Sequence, residues 1–318
     1  MRLNLKGVYS SMILRTRILK TRIFKIMMLP IPRPLFTGRF FSSFFILGFV
    51  GLMLCSGCSV KSDMMIHLSD TIVNNDDLSL VEAGAPAYLL MIDSLISEDP
   101  SSKEMLSTAA QLYTAYADVF VTDAHRSRKM VNKAFHYADQ AMCIANKDAC
   151  GLKDKPFEKF DTIITGMDKA DLPYLFTLGA SWASWIMANT NDFNALADIS
   201  RIEAIMGKVV LLDESYKEGA AFLYLGTLAT FLPPALGGRP KEGKRYFERA
   251  IELSQGKNLM VKVIFAKLYA RMIFDRGLHD RLLTEVVGTN PVVLGYTLVN
   301  TYAQKQARQL LEDADDYF

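Results

Sequence analysis

From about residue 80 onward, apolar residues recur at intervals of three and four: Tyr88-Ile92-Leu95, Leu106-Ala110-Tyr113-Ala117, Ala134-Ala138-Ala141, Leu175-Leu178-Trp182-Trp185, Phe222-Leu225-Ala229, Phe247-Ala250-Leu253 and Val261-Phe265-Leu268-Met272. That spacing lays one apolar stripe along a helix of 3.6 residues per turn. Alternating runs long enough to build a sheet are missing, so the predicted fold is all-α.

The breaks between these stripes carry helix-ending and helix-starting chemistry. After Asp99-Pro100, Ser101 and Glu104 stand three apart, as a capping box requires. Asp192 is placed to cap the helix that follows Asn189-Thr190-Asn191, and Pro291 to open the last one. In Leu232-Pro233-Pro234-Ala235-Leu236-Gly237-Gly238-Arg239-Pro240, Pro233 and Pro234 stop a helix, and Gly237 and Gly238 permit a sharp bend before Lys241 begins the next.

Pairs of these helices follow the tetratricopeptide pattern in part. Phe222-x-x-Leu225-Gly226 and Leu175-x-x-Leu178-Gly179-x-x-Trp182 fit its first helix; Gly243-x-x-x-Phe247-x-x-Ala250 fits its second. Small residues at these positions let two helices approach, and the aromatic fills the groove beside them. The expected architecture is about four tetratricopeptide-like hairpins stacked in a short superhelix over residues 78–318. An irregular helical bundle is the alternative.

Charge then divides the chain. The 318 residues hold 36 basic and 34 acidic side chains, but residues 1–57 carry nine of the basic ones (Arg2, Lys6, Arg15, Arg17, Lys20, Arg22, Lys25, Arg33 and Arg39) and no acidic one. The remainder keeps 27 basic against 34 acidic groups, a net charge of −7. A negative body disfavours nucleic acid as a partner.

The basic leader runs into an uncharged segment whose apolar part, Phe44 to Leu54, has the length of a signal h-region. It ends Leu54-Cys55-Ser56-Gly57-Cys58, which resembles the lipobox of bacterial lipoproteins, with Cys55 where that motif prefers Leu. Residues 1–57 are therefore expected to be a signal peptide with an over-extended start, Cys58 the acylated residue, and 58–77 a polar tether. An uncleaved signal anchor is the competing reading. Export leaves Cys143 and Cys150, which suit either a local disulfide or two free thiols.

Catalytic and metal motifs are missing from the sequence. It holds no Gly-x-Ser-x-Gly, His-Glu-x-x-His, phosphate-binding glycine loop or Cys-x-x-Cys. His125 and His136 stand too far apart to share a metal without a third ligand between them. No catalytic residue, metal or cofactor is expected. Glu104, Glu158, Glu203 and Glu248 read as charged helix faces, with one lone catalytic Glu as the enzymatic alternative. For ligand binding the candidates are Trp182, Trp185 and Tyr224, because small residues beside these aromatics leave room between helices. Arg239 at the bend faces either an anionic ligand or a helix carboxy terminus.

The stretches Phe222–Gly226, Leu232–Pro240 and Tyr246–Leu253, with Trp182-Ala183-Ser184-Trp185-Ile186 upstream, resemble the T-component of TRAP transporters, the tripartite ATP-independent periplasmic transporters. The resemblance spans roughly residues 80 to 290 and is most specific at the Pro-Pro and Leu-Gly-Gly-Arg-Pro bend. It implies a periplasmic lipoprotein, a homotrimer, and a channel through each subunit that passes a hydrophobic or organic-acid ligand. It also implies the transporter's solute-binding subunit as partner. A tetratricopeptide adaptor in envelope assembly and a cell-wall glycan hydrolase are the competing functions.

Replacing Cys58 with Ala is expected to abolish acyl labelling and release the chain from the membrane fraction. Unchanged labelling would remove the lipobox assignment.

Overall fold

The computed structural model describes residues 68–318; the leader 1–57, Cys58 and residues 59–67 of the expected tether lie outside the described residues. Among the described residues the structure is all-α, without strands. A helical segment at 68–73 comes first. Then follow α1 (Leu78–Glu98), α2 (Lys103–Phe120), α3 (Ala124–Ala145), α4 (Phe157–Gly166) and α5 (Leu172–Ala188). A short α6 (Phe193–Ala197) leads to α7 (Ile199–Leu212), α8 (Ala220–Ala229) and α9 (Pro240–Leu253). The chain ends with α10 (Leu259–Ile264), α11 (Arg276–Gly288), α12 (Thr297–Glu312) and α13 (Ala314–Tyr317). At its end α10 passes directly into a π-helical segment, Phe265–Ala270.

Helix starts follow local chemistry, with two departures from the sequence expectation. Ser102, not Ser101, caps α2, its hydroxyl accepting the amide of Met105. Asp99 explains the shift, because its carboxylate accepts both the backbone N–H and the hydroxyl of Ser101 and removes that residue from capping. Asp192 caps α6 as expected. Pro291 does not open the last long helix. Asn290 accepts the amide of Val292 in a tight turn, the chain stays irregular through Gly295, and α12 starts at Thr297.

The core lies in two clusters. Tyr88, Ile92 and Ile96 of α1 bury against Leu106, Tyr113 and Tyr116 of α2 and Ala134 and Ala141 of α3. A larger cluster runs from α3 through α5, α7, α8 and α9 to α11 and α12. By length and composition α1 could cross a membrane, but its Tyr88 and Ile92 face are packed inside the protein. Asp93 of α1 clamps the first cluster, accepting hydrogen bonds from Tyr113 (2.6 Å), Tyr137 (2.8 Å) and Lys133. Burial alone would raise the Asp93 carboxyl; these three donors outweigh it and hold the pKa below the ordinary carboxylate value.

Helices α8 and α9 approach each other closely. A Cβ at Gly226 would lie 2.8 Å from the ring of Phe247, itself fully buried, and one at Gly243 would lie 2.4 Å from Thr230. At the bend, a Cβ on Gly238 would fall 1.8 Å from the carbonyl oxygen of Leu232, so only glycine fits there.

Gly226→Ala is expected to destabilise the protein by about 1–3 kcal/mol through overpacking against Phe247. Gly207→Ala, inside α7 with open space around it, is expected to stabilise by about 0.5–1 kcal/mol from helix propensity alone. Denaturant unfolding of the two variants checks the opposite signs.

Candidate functional site

Helices α2 and α5 meet along a polar seam. Ser107, Gln111, Thr114 and Asp118 are spaced four, three and four residues apart, which puts them on one stripe of α2. Opposite them on α5 stand Thr177, Ser181 and Ser184, at intervals of four and three. Ser107 bonds Thr177 at 3.1 Å, the Gln111 amide donates to Thr177 at 3.1 Å, Thr114 bonds Ser181 at 3.0 Å, and Ser184 donates to Asp118. The pairings ascend together, so the two helices run in the same direction, and α3 packs on both.

Asp118 ends this seam in an unusual setting. Its side chain is exposed to solvent, yet burial lifts its carboxyl to about 6, against the opposing pull of the Ser184 hydrogen bond. Among the described residues no cation forms an ion pair with Asp118. An apolar recess between α5, α7 and α8 is lined by Ala183, Ile186, Ile199, Tyr224, Leu228 and Phe231. The hydroxyls of Tyr224 on α8 and Tyr302 on α12 are held above the ordinary tyrosine value, by burial first and the field of Asp118 after it. Both rings are half-buried, and Tyr224 lines the apolar recess.

Lys217 repeats the combination with opposite charge. It is exposed, burial pulls its ammonium below the ordinary lysine value, and its one hydrogen bond goes to the neutral Oε1 of Gln111, at 2.7 Å. Its Nζ also lies 5.1 Å from the centre of the Phe176 ring. Phe176 in turn packs edge-on against Tyr216 and Tyr224, at 5.5 and 5.9 Å between ring centres.

The backbone that presents Lys217 is strained. Lys217 (φ 47°, ψ 45°) and Glu218 (φ 54°, ψ 39°) are left-handed, and Gly219 (φ 80°) extends the turn. Left-handed non-glycine residues cost about 1–3 kcal/mol each and persist only where surrounding contacts hold them. Here Glu218 accepts the hydroxyl of Tyr296 at 2.8 Å and pairs with Lys257 at 3.4 Å. One residue further, the amide of Gly295 donates to Asn74 at 2.6 Å. Gln111–Lys217, Glu218–Tyr296 and Gly295–Asn74 therefore link α2, the turn before α8, the start of α12 and the segment before α1 in one circuit.

The residues singled out from sequence fall in different places. Trp182 is fully buried, gives its indole N–H to Asp198 at 3.2 Å and packs on Phe135 and Phe160, which leaves no face for a ligand. Trp185 is half-buried, donates to Asn132 at 2.6 Å and lies under Lys153, 3.4 Å from the ring centre. Only Tyr224 reaches the recess. Arg239 meets the carboxy terminus of α8, its amide donating to the carbonyl of Ala229 at 2.7 Å, while its guanidinium pairs with Glu203 and, at 3.4 Å, with Glu242. Pro233, Pro234, Gly237 and Gly238 form the bend between α8 and α9. A disulfide joins Cys143 near the end of α3 to Cys150 in the turn after it. Of the helix glutamates, Glu104 accepts the hydroxyl of Tyr174 at 2.8 Å and Glu203 is held by Arg239.

Asp118, Gln111 and Lys217 escaped the sequence reading. The signal for the first two was a polar stripe at helical spacing inside an otherwise apolar helix. Lys217 carries no local signal at all.

The model of a protein family described as TRAP transporter T-component matches residues 74–318 of the chain. No curated protein matches it.

The raised Asp118 pKa has a definite sign in stability. Between about pH 4, where an unfolded Asp titrates, and about 6, where the folded one does, the unfolded chain binds fewer protons. The wild type thus loses stability as pH rises through that window. Asp118→Asn removes the effect, so its melting temperature is expected to match the wild type near about pH 4 and exceed it above about pH 7. A difference independent of pH would show that Asp118 is not desolvated.

Proposed function

Because this chain belongs to the TRAP transporter T-component family, we propose that it docks the transporter's solute-binding subunit and offers the solute a protected path through its own recess. The accessory role in TRAP transport is the family's; docking and passage are the reading made here. The observation that carries it is the extent of the match, which covers nearly all of the described body, with the recess inside it. The apolar recess lined by Ala183, Ile186, Ile199, Tyr224, Leu228 and Phe231 supports the passage.

The rest of the proposal follows the same family. The chain is an exported lipoprotein held at the periplasmic face of a membrane through Cys58. Of the expected tether 58–77, the helical segment 68–73 packs on the body through Leu68 and Ile72, which leaves the residues before it as the tether. Its helical hairpins stack in a tetratricopeptide-like superhelix, and three copies assemble. Binding and positioning are its work, not catalysis.

Two measurements test this. The affinity-tagged mature chain is expected to retain the solute-binding subunit of a TRAP transporter encoded beside it, and light scattering of the purified chain to give three times the protomer mass. Retention of envelope-assembly proteins in place of the solute-binding subunit would favour an adaptor and overturn the transport reading.

A further inference from the structure

A groove of about 380 Å³ runs along the outer face of α1. Its floor is Leu80, Gly84, Ala87 and Met91, spaced four, three and four apart and so on one stripe of the helix. One wall is Leu68 and Ile72 of the helical segment 68–73. The floor is uncovered: nothing lies within 4 Å of a Cβ placed on Gly84, and Leu80 is 59% exposed. An apolar strip of this kind in water lacks its cover.

Where the described chain begins says what the cover is. Only residues 74–77 separate the segment 68–73 from α1, so the segment folds back and runs against that helix. Followed from Ile72 to Leu68 it heads from the start of α1 toward Met91. The residues before Leu68 therefore arrive where the exposed Ser94 and half-buried Leu95 continue the floor stripe beyond Met91. Those residues are Met64, Met65, Ile66 and His67. Met64 and Met65 precede Leu68 by four and three, the spacing that carries the Leu68–Ile72 stripe backward along one helix. Methionine, unbranched and adaptable, suits an irregular apolar groove.

Charge disfavours other covers. Residues 68–98 carry six carboxylates and no basic side chain. An anionic lipid surface, or the same face of a second copy, would meet like charge there, whereas residues 64–67 bring no acidic group.

We propose that residues 64–67 extend the helical segment 68–73 by one turn and seat Met64 and Met65 in the groove, on Met91 and Leu95, so that the chain covers its own apolar face. The free span from an acylated Cys58 then ends at Met64 and reaches about 20 Å, rather than about 35 Å to Leu68. The docked turn thus sets how far the body can stand from its anchor when it meets a partner. That consequence, though not the docking itself, rests on the proposed anchor at Cys58.

Maleimide alkylation of the full chain tests the docking, with Met64→Cys, Met65→Cys, Ile66→Cys and His67→Cys made one at a time and each site read by peptide mapping. The first two are expected to react at least about tenfold more slowly than the last two, in the membrane fraction and again after purification, because a seated side chain reacts only when the turn opens. Ser94→Arg, an exposed position beside the seat, and Met64→Asp, outside the packed body, are each expected to bring Met65→Cys to within about threefold of Ile66→Cys. Unfolding midpoints of both variants show that the body stays folded. Met65→Cys combined with Ser94→Cys is expected to oxidise to a disulfide within one chain.

Equal rates at the four positions would overturn the proposal, as would protection that survives both Ser94→Arg and Met64→Asp. Protection lost on purification would make the membrane the cover, and a disulfide joining two chains would make it a second copy; either result also overturns it. A reactive Cys58 alongside protected Met64→Cys and Met65→Cys would defeat the anchor and leave the docking standing.

Discussion

The left-handed turn at Lys217–Gly219 is the constraint on which the circuit from Asn74 to Gln111 depends. Two non-glycine residues there adopt a backbone that costs about 1–3 kcal/mol each, and a net gain of about 0.5–1.5 kcal/mol per ordinary hydrogen bond, or 1.5–3 for one to a charged group, is what opposes it. Lys217 and Glu218 each make charged hydrogen bonds, to Gln111 and Tyr296, and so offset a strain of that size. Because the turn holds both residues in αL, consecutive side chains can leave it in different directions, one toward α2 and one toward the start of α12. Without that conformation the circuit from Asn74 to Gln111 would have no link at residues 217 and 218, and the wall that carries Lys217 would not be tied to the wall that carries Gln111.

The seam between α2 and α5 is the second half of the same design. The contacts around Phe247 and Trp182 are dry: Phe247 fills the space left by Gly226, and Trp182 is enclosed by Phe135 and Phe160. Along α2 and α5 hydroxyls and an amide satisfy one another, so the interface holds without demanding an apolar neighbour on its open side. An apolar stripe there would have to be covered by another helix, which would close that side. A satisfied polar stripe tolerates water beside it.

The helical class and the bend were legible in the sequence because both are written locally. Apolar spacing of three and four reports a buried helix face wherever that face packs, and a run of two prolines followed by two glycines reports a bend. Family resemblance was legible for the same reason, since it rested on that bend and its flanking helices. Helix starts were less so: at Ser101 the sequence held two eligible caps side by side, and the choice fell to whichever hydroxyl Asp99 had not already engaged. Trp182 and Trp185 drew notice as aromatics at helical spacing, but that spacing is what a core helix also needs, and Asp198 and Lys153 absorbed their polar and π faces. Lys217 was illegible in principle, because its meaning comes from Gln111, 106 residues away, and from backbone angles that no local motif requires.

Those contrasts explain why Asp118 and Lys217 both go without an ion pair. An Asp and a Lys within contact distance would pair, each satisfying the other. About two turns of α2 and an aromatic wall keep Asp118 and Lys217 from doing so. Each is left with a desolvation cost that its hydrogen bond to Ser184 or Gln111 only partly relieves. That residual cost is borne by the rest of the fold: by the Asp93 clamp, the dry α8–α9 contact and the two apolar clusters, the larger of which sets the Phe176 ring beside Lys217. The packed faces hold the frame rigid, and the open face keeps two charges short of partners.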